Sequence, residues 1–220
     1  MNNKIEQCLD KFINGNGKNK GRKADERYAS FDYCYSYFYS FYKQGKLDEL
    51  ANDENLQTSC LQLGFYLASW GMLRGSSFLL EKSVRNFKQL IIAISKMEPK
   101  LWAIDVDDYC EENVELLLSC KKEITLALGK EYRPSDTLVT KIMLGIFANI
   151  PAYDQYFKKS MKIGSLSKKS LAKIKSFYDE NKAVLDSYKI YTFDFLSGRE
   201  TNIRYSKAKL IDMCGFVDGQ

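Results

Sequence analysis

Apolar residues recur along most of this chain at spacings of three and four, separated by short breaks rich in glycine, proline or charge. That rhythm predicts helices from end to end. Residues 3–13 read as a short amphipathic helix. Residues 14–21, rich in glycine, asparagine and lysine, read as a mobile basic segment. A helix is expected from Ala24 to Lys43. Its stretch Phe31 to Phe41 also alternates in a way that permits a strand. The polar stripe Asp32, Ser36, Ser40, Lys43 selects the helix, and it leaves an aromatic surface that other helices must cover. Gly45 should end it.

The next helix is expected from Asn55 to Leu80. Gly64, Ala68, Gly71 and Gly75 recur on one face, and each interior glycine costs about 1 kcal/mol of helix propensity relative to alanine. Two explanations fit that cost: a tight helix crossing, or a site using Trp70 and Arg74, which lie four residues apart. A third long helix should run from Ser83 to Met97, before Pro99. The acidic run Asp105, Asp107, Asp108, Glu111, Glu112, Glu115 reads as a solvated face, with Asp107 or Asp108 as cap, rather than as a metal site. Helix 109–128 should end at Gly129. Ser135 or Asp136 should cap a helix that begins near Thr137 and ends before Pro151. Ser167 should cap a helix running from Lys168 into the 180s. Residues 188–195 have strand character, Asn202 to Met213 reads as a last helix, and the tail from 214 to 220 should fray.

The expected architecture is therefore all-α: a compact multi-helix orthogonal bundle with at most one short extended segment near 188–195. Residues 24–213 form one mainly helical domain behind a short helix and flexible basic segment at 1–23, with two helical lobes as the alternative. At 220 residues, 45% of them hydrophobic, the chain can bury a core without disulfides. The six cysteines are scattered and histidine is absent. Both facts argue against a zinc cluster and for free thiols in a reducing compartment, the cytoplasm. Ser-His-Asp and Cys-His systems are excluded outright, so catalysis within this chain must rest on Asp, Glu, Lys, Arg, Tyr or Cys. No metal ligand set and no cofactor is expected. No apolar run is long enough to cross a membrane.

Two features carry candidate chemistry. Lys141 and Asp154 frame the apolar run from Ile142 to Ile150, with Pro151 between the run and the carboxylate. Further on, Lys158, Lys159, Lys162, Lys168, Lys169 and Lys173 occur without an intervening acid. With a net charge of +5, this basic segment suits DNA or RNA. The tyrosine-rich helix 31–43 offers a different expectation, a homodimer or protein-partner surface exposing an aromatic patch.

Ala68 to Leu80, with Val139 to Phe157 and Arg204 to Met213, resembles the signature of a bacterial all-helical protein family with no assigned activity. Separately, Thr140-Lys141, the apolar helix and Pro151-Ala152-Tyr153-Asp154 are weakly similar to the helix–hairpin–helix DNA glycosylases. The similarity covers about twenty residues. Arg133-Pro134-Ser135-Asp136 stands where that family has a glycine-rich hairpin. The resemblance implies metal-independent glycosylase or lyase chemistry, with Asp154 as the essential carboxylate and Lys141 as the nucleophile. Trp70, Arg74 and Tyr153 would then contact the substrate. Without catalysis, the same features describe a nucleic-acid-binding protein.

Overall fold

The computed structural model describes residues 2–15, 17 and 20–220. Asn16, Lys18 and Asn19, part of the segment expected to be mobile, lie outside the described residues. Ten α-helices and one two-stranded sheet make up the described chain, a mostly-α compact bundle.

Helix α1 spans Asn2–Asn14, and α2 spans Ala29–Gln44. The start of α2 falls five residues later than expected because residues 24–28 form turns. Gly45 closes α2 in the left-handed conformation, at φ 68°. Its Phe31, Cys34, Tyr35 and Phe38 are buried, and Tyr37, Tyr39, Phe41 and Tyr42 pack half-buried against the core. No aromatic side chain of α2 is exposed. The aromatic patch expected of a partner-binding helix is therefore absent, because the bundle itself uses those rings.

Helix α3 spans Leu56–Ser69, and ends well before the expected Leu80. The glycines explain the difference. Gly64 does serve close packing, with Val84 Cγ1 3.0 Å from where a Cβ would sit. Gly71 and Gly75 instead adopt φ of +75° and +61°, which break the helix. A short 3-10 turn follows at Phe78–Glu81. The helix expected at 83–97 is a 3-10 turn leading into α4, Lys88–Ile94.

Helix α5, Glu111–Leu128, starts at Cys110 rather than at an aspartate cap. Asp108 turns to the Asn113 side chain, 2.8 Å away, and Asp105 accepts from the amides of Val106, Lys207 and Ala208. The rest of the acidic run is dispersed in pairs, including Asp107–Lys207, Glu112–Lys100 and Glu115–Lys168.

Helix α6, Asp136–Phe147, is capped by Ser135 as expected and ends at Ala148 in the left-handed region. Helix α7 is Gln155–Met161, and α8 is Lys168–Glu180 with Ser167 in a capping box. Helix α9, Lys182–Ser187, completes this part. Strands β1, Tyr191–Phe193, and β2, Glu200–Arg204, then form an antiparallel hairpin. The residues from 202 to 204 are thus strand, not helix. Helix α10 runs Lys207–Asp218, and Cys214, Gly215 and Phe216 are buried, so the expected frayed tail is part of the core. Among the described residues no helix is long and apolar enough to cross a membrane.

Two features lock the bundle. Arg22 and Asp32 form a buried ion pair at 2.9 Å, and the Tyr205 hydroxyl donates to the same carboxylate. Phe193 N also donates to Asp32, which ties the hairpin to α2. The second lock is the α3–α6 contact, where the Tyr66 ring lies directly on Gly145. A Cβ at position 145 would sit 2.7 Å from Tyr66 Cδ1, too close for any real contact. Gly145→Ala is expected to destabilise the fold by about 1–3 kcal/mol, read from the denaturant midpoint at unchanged m-value.

Candidate functional site

The residues from 138 to 153 are buried without interruption, and Lys141 lies among them at 4% exposure. Helix α6 is buried on all sides from Leu138 onward, so a lysine there needs a partner inside the protein. The chain supplies it by returning. After Ala148 turns the backbone, Asn149 to Tyr153 run buried to the start of α7. Tyr153 N donates to Thr140 Oγ1 at 2.8 Å, and Thr137 Oγ1 donates to Tyr153 O at 2.8 Å. These bonds fasten the returning segment against α6 and bring Asp154 to Lys141.

Asp154 divides its two oxygens. Oδ1 accepts from the amides of Tyr156 and Phe157, at 3.0 and 2.9 Å, and so caps α7. Oδ2 faces the Lys141 ammonium at 3.5 Å. Burial pushes the Lys141 ammonium below its ordinary value of 10.5, Asp154 and Asp212 pull it back up, and Lys209 adds to the lowering.

Both groups line one cleft of about 660 Å³. Its walls come from the end of α3 and the glycine turn (Trp70, Gly71, Arg74), from α6 and the start of α7, and from Arg27 and Phe216. Four cationic side chains, Arg27, Arg74, Lys141 and Lys158, line it with one carboxylate side chain, Asp154, and Gln220 also borders it. The positive φ of Gly71 lets the Arg74 guanidinium lie against the backbone, 2.7 Å from where a Cβ would project. Trp70 and Arg74 therefore meet through a turn, not across a helix face.

Trp70 lines the cleft with its ring already occupied. Tyr28 stacks on it at 5.4 Å and 9°, and the ammonium groups of Lys141 and Lys209 stand over it at 5.2 and 5.3 Å. The indole is a platform for cations rather than a free stacking face. Its N–H finds no acceptor within the described residues.

Tyr153, expected at the substrate, is wholly buried with its hydroxyl on Ser170, and it does not line the cleft. The lysine run is dispersed, because α7 and α8 point its members in different directions. Only Lys158 reaches the cleft. Lys159 donates to Gly219 O, and Lys168 pairs with Glu115. Lys169 is exposed on α8, away from the cleft lining. Lys162 and Lys173 border a different cavity between α1, α7, α8 and α10. The expected basic segment is thus shared between this cleft, through Lys158, and the other cavity, through Lys162 and Lys173. Arg27 at the rim carried no sequence signal, and Lys209 with Asp212 behind the floor carried none beyond a charged pair at i, i+3 in a helix that also holds Lys207 and Asp218.

The turn before α6 is closed by its own side chains. Ser135 Oγ accepts from Leu138 N, and Asp136 accepts from Leu166 N while pairing with Lys121. Those side chains occupy the turn where the resemblance would place a phosphate-binding hairpin, and Arg27 and Arg74 are exposed at the cleft. No protein-family model matches the chain, and comparison with curated proteins and with solved structures gave no match.

Two outcomes follow from this geometry. Asp154→Ala is expected to cost about 1–2 kcal/mol through the lost cap, whereas Asp154→Asn, which keeps an accepting oxygen, costs less; paired urea titrations measure the difference. In the unfolded chain Lys141 holds its proton up to 10.5, and in the folded chain it releases it at lower pH. Across that window the unfolded state binds more protons, so the Lys141 contribution to stability rises with pH. Lys141→Met is expected to remove that rise, seen by comparing urea midpoints from neutral pH towards 10.5.

Proposed function

We propose that the cleft binds a phosphate-bearing nucleic acid strand, DNA or RNA, and that Lys141 and Asp154 act together on its sugar in the manner of a glycosylase or lyase. The observation that carries this proposal is a buried amine, lowered by desolvation and paired to one carboxylate oxygen, at a cleft lined by three further cationic side chains.

Each group has a defined task. Arg27, Arg74 and Lys158 take the phosphates, where guanidinium forks match phosphate oxygens. Lys141 in its neutral form attacks the sugar carbon that bears the base. The carbon–nitrogen bond to the base breaks, and its electron pair leaves with the base, which takes up a proton. Ring opening then gives an imine between Lys141 and the sugar. Asp154 Oδ2 stabilises the positive charge that develops on the sugar and afterwards on the imine. On a strand already lacking the base, Lys141 adds to the sugar aldehyde and water leaves. Neither route uses a metal.

The alternative is a nucleic-acid binder without chemistry, in which Asp154 serves only as the α7 cap and counter-ion. Borohydride separates the two. It reduces an imine to a stable amine, so incubation with abasic DNA should leave the strand covalently joined at Lys141. Lys141→Met should abolish the adduct while binding persists. Binding retained in wild type with no trapped adduct supports the non-catalytic alternative. Binding itself should weaken with salt at a log–log slope of about −2, as expected for three phosphate contacts on a single strand. A flat salt response would remove the nucleic-acid proposal altogether.

A further inference from the structure

Behind the cleft floor lies a second buried ion pair. Lys209 Nζ donates to Asp212 Oδ2 at 2.9 Å, within α10. Lys209 is 1% exposed and neither residue lines the cleft. Position and burial both count against a lysine here. It stands in the first turn of α10, where helix dipoles disfavour positive charge, and it is taken wholly out of water. A local rule broken twice at one residue, next to a candidate site, points to a task beyond stability.

We propose that Lys209 and Asp212 are positioning residues that set the charge state of Lys141, through a second ammonium held over the same Trp70 ring and a carboxylate that holds the backbone leading to Asp154. This inference rests on Lys141 being the reactive amine of the proposed function.

The geometry supports it in three ways. First, the two ammonium groups share the Trp70 ring, at 5.2 and 5.3 Å from its centroid, and the Arg27 guanidinium also lies over it at 5.3 Å. Like charge over the same ring in a water-poor interior disfavours protonation of Lys141. Second, their surroundings are unequal. Lys209 also lies over Phe31 at 4.5 Å and Phe12 at 5.3 Å and holds its carboxylate at 2.9 Å, whereas Lys141 has a looser partner at 3.5 Å and opens onto the cleft. Rings and a tight counter-ion thus enclose Lys209, while the cleft side belongs to Lys141. Third, Asp212 Oδ1 accepts from Ala152 N at 3.0 Å, two residues before Asp154. The same pair therefore fixes the backbone that delivers the Lys141 partner.

The other charged and titratable groups around Lys141 are few. Asp154 faces it from the start of α7, and Tyr66 comes from α3, its hydroxyl raised by burial and by Asp212 and Asp154. Arg27, Arg74 and Lys158 stand at the cleft. Among these, Asp154, Asp212 and Lys209 act on the Lys141 ammonium, with Lys209 alone of the three lowering it.

Pyridoxal 5′-phosphate is the probe: a phosphate-bearing aromatic aldehyde that forms an imine with a neutral lysine, the amine nitrogen adding to the aldehyde carbon with loss of water. Borohydride fixes the adduct, and peptide mass mapping assigns it to Lys141. The pH profile of adduct formation then reports the amine. Lys209→Met removes the neighbouring cation and leaves Asp212 unmatched, so the midpoint should move up by about one pH unit, about a tenfold slower reaction at neutral pH. Asp212→Asn leaves Lys209 unmatched and should move the midpoint down. Lys209→Arg should leave it in place. Opposite shifts from two substitutions of one pair are not produced by loosened packing. If Lys209→Met does not fold, Asp212→Asn alone decides the matter. Midpoints that stay together in folded variants overturn the role of the pair while leaving Lys141 as the reactive amine. No adduct at Lys141 in the wild-type chain overturns the reactive amine and this inference together.

Discussion

Sixteen consecutive residues, 138 to 153, are shut away from solvent, and one of them is a lysine. Most of the architecture around the cleft can be understood as the answer to that placement. A charged group in a low-dielectric interior is tolerated only with a partner, so the chain must bring a carboxylate back to α6. It does so with a left-handed residue at Ala148, a buried extended stretch, and two threonine hydroxyls that hold the return. Close packing of α3 on Gly145 then places Trp70 where the ammonium can lie over a ring rather than over aliphatic carbon.

The cleft is made where helices stop. Its cationic side chains come from the turns before α2, the glycine turn after α3, the buried helix α6 and the first turns of α7. Helix ends can hold side chains at angles that a continuous helix face cannot. Arg74 lies back on Gly71 because that residue has no Cβ, and Asp154 points one oxygen at amides and the other at an amine because it sits at an N-cap. The chemistry proposed for the site depends on that division. One oxygen secures the position and the other carries the charge.

Sequence made the helices legible wherever periodicity and caps agreed. Ser135, Ser167, Gly45 and Gly129 mark real boundaries. It misled where one residue type serves two purposes. Gly71 and Gly75 keep helical spacing with Gly64, yet they are used for positive φ, and α3 stops at Ser69. Strand 191–193 falls inside the extended segment expected at 188–195, but its partner 200–204 and the bond to Asp32, 161 residues before Phe193, had no local signal. Lys141 and Asp154 stood out because charge beside an apolar run is conspicuous. Lys209 and Asp212 did not, since a lysine and an aspartate three apart on a helix look like an ordinary surface pair. The lysine run had the opposite fault, a pattern along the chain that helix geometry scatters in space.

Phe216, in the last turns of α10, touches the rings of Phe12, Tyr28, Trp70 and Tyr156, each nearly edge-on. Those four rings belong to parts of the chain made long before or shortly before α10. During synthesis from the N-terminus, each waits for a side chain that emerges from the ribosome later than its own. The nascent protein therefore carries an open aromatic seam, and no finished cleft, until translation reaches that helix.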